Sequence, residues 1–152
     1  MLDRAIENFG RRLVRGDEGF VPKAYKDTKG NWTALVGLNL NQNVPERVGI
    51  AAMDEYIKIT KEELHDNLPF FDSLDPVRQW VFIDMVYNMG IGKFMGFHKM
   101  IHLAAGGAWQ RASEELMNSQ AARDLPVRYK RLKMMLATGQ WPDNLPSFAS
   151  IT

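Results

Sequence analysis

The apolar positions at the start of the chain recur with a helical period. Leu2, Ala5, Ile6, Phe9, Leu13 and Val14 share one face, with Arg4, Glu7, Arg11 and Arg12 between them. The pattern predicts a helix with Gly16 as its stop, and places Asp17 and Glu18 just beyond it or in a final irregular turn. From Phe20 the punctuation changes. Pro22, the run Asp27-Thr28-Lys29-Gly30 and Gly37 separate short segments rich in Tyr25, Trp32, Thr33, Leu35 and Val36. These predict a strand near 23–26, a turn at 27–31 and a strand near 32–36. At most three short strands fit, which leaves no room for a sandwich or a parallel α/β sheet.

Beyond residue 40 the helical period returns. Val44-Pro45-Glu46 can open a short helix through Met53 and Tyr56. A second start lies at Thr60, where Thr60 and Glu63 form a capping box and Ile59 and Leu64 occupy the staple positions; that helix ends near Pro69. Asp75-Pro76 then opens the most apolar helix, from Val77 to Met89, with Gly90 as its stop. Asp84 and Asn88 interrupt its apolar surface and need partners or a cleft. Short helices are predicted near 93–105 and 108–118, and a last one from Pro126 to Ala137, stopped by Gly139. The fold class is therefore α+β: an amino-terminal helix, a small antiparallel sheet lobe and a larger, mostly helical lobe. The organisation expected is a single domain over 1–152. Its sheet lobe covers about 13–60, a connecting helix about 60–68, and a helical lobe about 73–141 packs with the first helix.

Composition narrows the chemistry. The chain of 152 residues has no cysteine, so disulfides, thiolate metal sites and cysteine nucleophiles are excluded. Net charge is +1, divided as −3 over residues 1–77 and +4 over 78–152, too mild a basic face for nucleic acid. No apolar run is long enough to span a membrane, and the first residues do not read as a secretory signal. His65, His98 and His102 lack ligand spacing, so no metal is expected. The basic series Arg123, Arg128, Lys130, Arg131 and Lys133 reads as a solvated face that could also attract an anionic polymer.

Glu18 and Asp27 flank the predicted fold-back from helix to hairpin. Two carboxyl groups across a cleft are what glycoside hydrolysis uses: one protonates the leaving oxygen and the other, ionised, acts on water or on the sugar carbon. Glu18 follows a helix carboxy terminus, where the dipole favours its protonated form; Asp27, in a turn beside Lys26 and Lys29, is the better candidate to stay ionised. Thr33 could position a water. Two acids about a turn are, on their own, usually surface residues.

The run Asp17-Glu18-Gly19-Phe20, followed by Ala24 to Gly30 and Trp32-Thr33, resembles the start of the phage T4-type lysozymes, the muramidase class of phage endolysins. The resemblance resumes at Asp72 to Arg78, Met85 to Gly90 and Gly96-Phe97. It closes on Arg128, Arg131, Thr138-Gly139 and Trp141. It spans most of residues 13–141, with 38–60 unaligned. It implies a lysozyme-like fold that hydrolyses, with inversion, the β-1,4 bond between N-acetylmuramic acid and N-acetylglucosamine in peptidoglycan. Glu18 would be the acid, Asp27 the residue activating water and Thr33 the third member. Arg128 matches an arginine that approaches the catalytic glutamate, and Asn88 is a candidate sugar contact. No cofactor is implied. The expected setting is host cell lysis: a monomer, without stable membrane insertion, held in the host bacterial cytoplasm. A separate holin-like protein then gives it access to the cell wall; virion-associated or effector delivery would use the same residues.

One departure stands out. After its threonine the family continues Gly-x-Gly-His, whereas this chain has Leu35 at the first glycine, Gly37 at the second and Leu38 at the histidine. Leu35 adds bulk where the backbone should lie near the glycan. The rival expectations are a catalytically weakened lysozyme fold kept for glycan binding or assembly, and another polysaccharide hydrolase such as a chitinase.

Overall fold

A computed structural model describes residues 4–143, apart from the side chains of Ala5, Glu7, Phe9, Asp17 and Glu18. The chain divides into two compact units, Met1–Gly49 and Ile50–Thr152. The first holds a helix and a small antiparallel sheet, the second the remaining helices, and helix α2 (Glu46–Asn67) connects them. The α+β class with a small sheet lobe and a larger helical lobe is thus the observed architecture.

Helix α1 spans Arg4–Glu18 and runs through Gly16 rather than stopping there. The stop is Gly19, whose φ of 69° is open to glycine at no steric cost and whose N–H donates to Arg15 O at 2.9 Å. Glu18 is consequently the last helical residue. Strands β1 (Val21–Lys26), β2 (Trp32–Leu35) and β3 (Leu38–Asn39) pair in the order β1-β2-β3. Tyr25 stands opposite Thr33 and Lys26 opposite Trp32, while Thr33 also faces Asn39 on the other side. Register slips between Val21 and Tyr25, where Pro22 has no N–H to give to the ladder. The Lys26 ammonium lies 5.5 Å from the Trp32 ring centroid, closing the hairpin on its open face.

In the second unit the expected break at Thr60 is absent: α2 is one helix across it. Ile50, Met53, Ile57, Thr60 and Leu64 follow one another at three- and four-residue steps and form a single stripe. Thr60 belongs to that stripe and is buried, whereas Ile59, its supposed staple, is exposed. A short 3-10 turn, Phe71–Ser73, leads to α3 (Pro76–Met89). Asp75 caps α3 as the sequence predicts, its carboxylate accepting from Arg78 N at 3.0 Å with Pro76 in the first turn. Val81, Phe82 and Met85 of α3 are fully buried at the centre of the helical core.

Around α3 stand α4 (Ile91–Met95), α5 (His98–Ala105), α6 (Trp109–Met117), α7 (Gln120–Asp124) and α8 (Pro126–Thr138). Arg78 ties the start of α3 to the end of α8. Its Nε donates to Leu136 O at 2.8 Å and its Nη2 to Ala137 O at 3.1 Å, satisfying carbonyls that a helix end leaves open. The same guanidinium bonds Asp75 and lies 4.2 Å from the Trp109 ring centroid. No described helix is long and apolar enough to cross a membrane.

Candidate functional site

The turn between β1 and β2 is built around one carboxylate. Asp27 Oδ1 accepts from the N–H groups of Lys29 (2.9 Å) and Asn31 (2.8 Å), and Oδ2 accepts from Asn31 Nδ2 at 3.2 Å. Its backbone closes the same loop, with Asp27 N donating to Asn31 O and Gly30 N donating to Asp27 O. Each of these side-chain bonds favours the ionised form. The Asn31 N–H is the main cause of a pKa held below the ordinary carboxylate value; partial burial opposes it, and the Asn31 side chain, the Lys29 N–H and the Lys29 charge reinforce it. A half-exposed aspartate kept ionised in this way can accept a proton from water above mildly acidic pH.

Thr33 sits on the central strand and is only 5% exposed. Its hydroxyl donates to Asn31 O at 3.3 Å. Asn31 therefore links the two: it holds the Asp27 carboxylate by main chain and side chain and accepts from Thr33. A further amide, Asn41 Nδ2, reaches Asn31 Oδ1 at 3.4 Å, while Asn41 Oδ1 accepts from Trp32 N at 3.1 Å. Neither Asn31 nor Asn41 was among the residues singled out from the sequence. The available signal was an Asp followed four positions later by Asn around a Gly, a spacing that lets side chains close a turn.

Leu35 ends β2 with φ of 58°, the one described non-glycine residue in the left-handed region. The backbone keeps the conformation a glycine would give, and leucine carries the strain. Its side chain is 40% exposed, so little burial repays that strain. Gly37, two residues on, has φ of 74° and completes the turn into β3. Leu35→Gly is therefore expected to stabilise the protein by about 0.5–1 kcal/mol, the relieved strain being partly offset by greater freedom of the unfolded chain. Urea unfolding of both proteins measures this, and a midpoint that falls would show that Leu35 is held by contacts worth more than its strain.

Glu18 is placed by its backbone at the end of α1, with Gly19 and Phe20 between it and β1; its carboxylate lies outside the described residues. The remaining two candidates belong to the helical unit. Arg128, on α8, donates from Nε to Asp84 Oδ1 at 2.7 Å and from Nη2 to Asp84 O at 3.2 Å. This gives Asp84 the partner its position in an apolar helix demands. Asn88 is exposed near the end of α3 and lines a pocket of about 400 Å³ with Lys93, Gln120 and Asp124. Arg128 lines a different pocket, beside Tyr87. The structure thus brings Asp27 and Thr33 together through Asn31, with Leu35 and Gly37 at the far end of β2, and leaves Asn88 and Arg128 in separate hollows.

The chain is 24% identical over 157 residues to a protein named probable T4-type lysozyme 1 from Dictyostelium discoideum, covering 84% of this chain and 92% of that one. The same figures hold for probable T4-type lysozyme 2 of that organism. It is also 24% identical over 165 residues to the pre-baseplate central spike protein Gp5 of Enterobacteria phage T4, covering 90% of this chain and 28% of the spike protein. No family model matches. The similarity is distant, to two proteins named as probable T4-type lysozymes and one named as a spike protein.

Proposed function

We propose that this protein is a peptidoglycan muramidase that cleaves the β-1,4 bond between N-acetylmuramic acid and N-acetylglucosamine with inversion. The observation that carries the reading is the Asp27 carboxylate, kept ionised by three hydrogen bonds in the first hairpin turn and linked through Asn31 to Thr33. In this mechanism Asp27 takes a proton from a water as that water attacks the anomeric carbon. Glu18 gives its proton to the glycosidic oxygen as the carbon–oxygen bond breaks. Thr33 orients the water, and Asn88 and Arg128 contact the glycan. Charge makes the roles distinct: the base must be ionised while the acid keeps its proton, and the Asn31 turn supplies the first condition. The likeness to proteins named as T4-type lysozymes supports the same activity.

The biological setting proposed is bacterial lysis by a monomer that needs no cofactor and reaches the wall from the host cytoplasm through a holin-like permeabilising protein. The likeness to a baseplate spike protein favours a second reading, in which the domain is carried by a virion and binds or opens the wall during entry.

Glu18→Gln provides the test. The substitution removes the acid proton at nearly constant volume, and clearing of a peptidoglycan suspension should fall by about 10²–10⁴-fold, with circular dichroism unchanged. Full activity in that variant would remove Glu18 from the mechanism.

A further inference from the structure

Behind the hairpin turn that holds Asp27 lies a second layer of side-chain amides, and its polarity is dictated from one end. Asn41, two residues past β3, is bonded at both ends of its side chain and at its main chain. Its Oδ1 accepts from Trp32 N at 3.1 Å, its Nδ2 donates to Asn31 Oδ1 at 3.4 Å, and its own N–H donates to Asn39 Oδ1 at 2.9 Å. The Trp32 N–H can only donate, so the Asn41 atom that meets it must be the oxygen. Nδ2 of Asn41 is thereby turned to Asn31, and it needs the Asn31 oxygen on its side. Asn31 Nδ2 has one direction left, and it donates to Asp27 Oδ2 at 3.2 Å. Reversed, the Asn31 amide would set its oxygen against the carboxylate and its nitrogen against the nitrogen of Asn41.

We propose that Asn41 is a positioning residue for the Asp27 base, acting through Asn31 by fixing which way the Asn31 amide points. The two carboxylate oxygens then differ. Oδ1 accepts from the N–H groups of Lys29 and Asn31, which occupy both of its lone pairs. Among the described residues Oδ2 accepts only from Asn31 Nδ2, so it keeps a lone pair and is the oxygen that receives the proton of the attacking water. Without Asn41 the Asn31 side chain can turn over, and Oδ2 loses its donor. The Asn31 N–H does most to hold Asp27 ionised, against partial burial; the Asn31 side chain, the Lys29 N–H and the Lys29 charge follow. Asn41 governs the side-chain share. The other charged groups nearby are Lys23 and Lys26 on β1, the latter over the Trp32 ring, while β2 and β3 carry no charged side chain and the Glu18 carboxylate lies outside the described residues.

The role in catalysis rests on the hydrolase reading above, whereas the relay of amides does not, so the test takes two readouts on the full chain. One is the pH titration of the Asp27 side-chain carboxyl followed by carbon-13 NMR; the other is the pH profile of peptidoglycan clearing. Asn41→Ala should move the Asp27 titration to higher pH and carry the acid limb of the profile with it, lowering clearing on that limb about 2–5-fold against the parent at the same pH. Asn41→Asp still accepts from Trp32 N but draws the Asn31 amide toward itself, and should move both further. In an Asn31→Ala background the relay lacks its middle member, and adding Asn41→Ala should shift neither. A titration that stays put in Asn41→Ala, a profile lowered evenly at every pH, or an equal shift in the Asn31→Ala background overturns the proposal and leaves Asn41 closing the sheet edge. A moved titration in a chain that clears no peptidoglycan keeps the relay and removes the hydrolase. Clearing with an unmoved titration keeps the hydrolase and removes the relay.

Discussion

Asp27→Asn is expected to reduce peptidoglycan cleavage by about 10²–10⁴-fold while the hairpin stays folded. An asparagine oxygen can still accept from the N–H groups of Lys29 and Asn31, so the turn keeps its two shortest side-chain bonds. The third is lost, since the new amide would meet another amide donor at Asn31 Nδ2. What disappears is the proton acceptor. The pH dependence gives a second signature. The folded state holds the Asp27 pKa below 3.8, so the unfolded chain binds its proton first as pH falls. Asp27 therefore contributes stability above about pH 4, and that contribution is lost as pH drops through the folded-state value. Asp27→Asn should accordingly be less stable than the parent at neutral pH, with the gap closing in acid. A variant that clears peptidoglycan at the parent rate would show that Asp27 is a turn residue only.

Phe82→Ala should have the largest effect on stability. Phe82 is fully buried at the middle of α3, edge-on to Phe70 at 6.4 Å between centroids and tilted against Phe94 at 5.4 Å. Removing the ring opens a cavity between helices that cannot collapse together, at a cost of about 3–5 kcal/mol. Against a typical total of about 5–15 kcal/mol, that leaves the helical unit near its unfolding threshold. Urea unfolding read from Trp80 and Trp109, which belong to that unit, measures the loss. A loss below about 1 kcal/mol would mean that the core is centred elsewhere.

Features decided by short-range chemistry were readable from the chain. Asp75-Pro76 and Gly90 bound α3 because a cap, a proline at the first helical turn and a glycine after the last are each local requirements. The Asp27–Gly30 run marked the turn for the same reason. The sequence was misleading where two local signals competed. Thr60 and Glu63 have capping chemistry, yet Thr60 also occupies a core-facing step in an unbroken stripe, and burial of that stripe carries the helix through. Gly16 has the residue type of a helix stop, but Gly19 is the one with the left-handed backbone.

The hairpin turn was legible in its aspartate and less so in its supports. Asp27 and Thr33 could be picked out by residue type and order. Asn31 could not, because its value comes from turn closure, which aims its N–H and side-chain amide at Asp27 and its carbonyl at Thr33. Likewise Asp84 read only as an oddity in an apolar helix until α8 brought Arg128 onto it from 44 residues away. Leu35 is the opposite case. The sequence marks it for added bulk near the glycan, whereas the structure marks it for a positive φ that leucine bears.

We propose hydrolysis of the muramic-acid linkage by Glu18 and Asp27. Its most direct test is mass spectrometry of the products released from peptidoglycan by the purified chain, run beside Glu18→Gln. Muropeptides with reducing N-acetylmuramic-acid ends from the parent alone are the predicted result. Reducing ends on N-acetylglucosamine, cleavage of the peptide stems, or the same products from both proteins would contradict it.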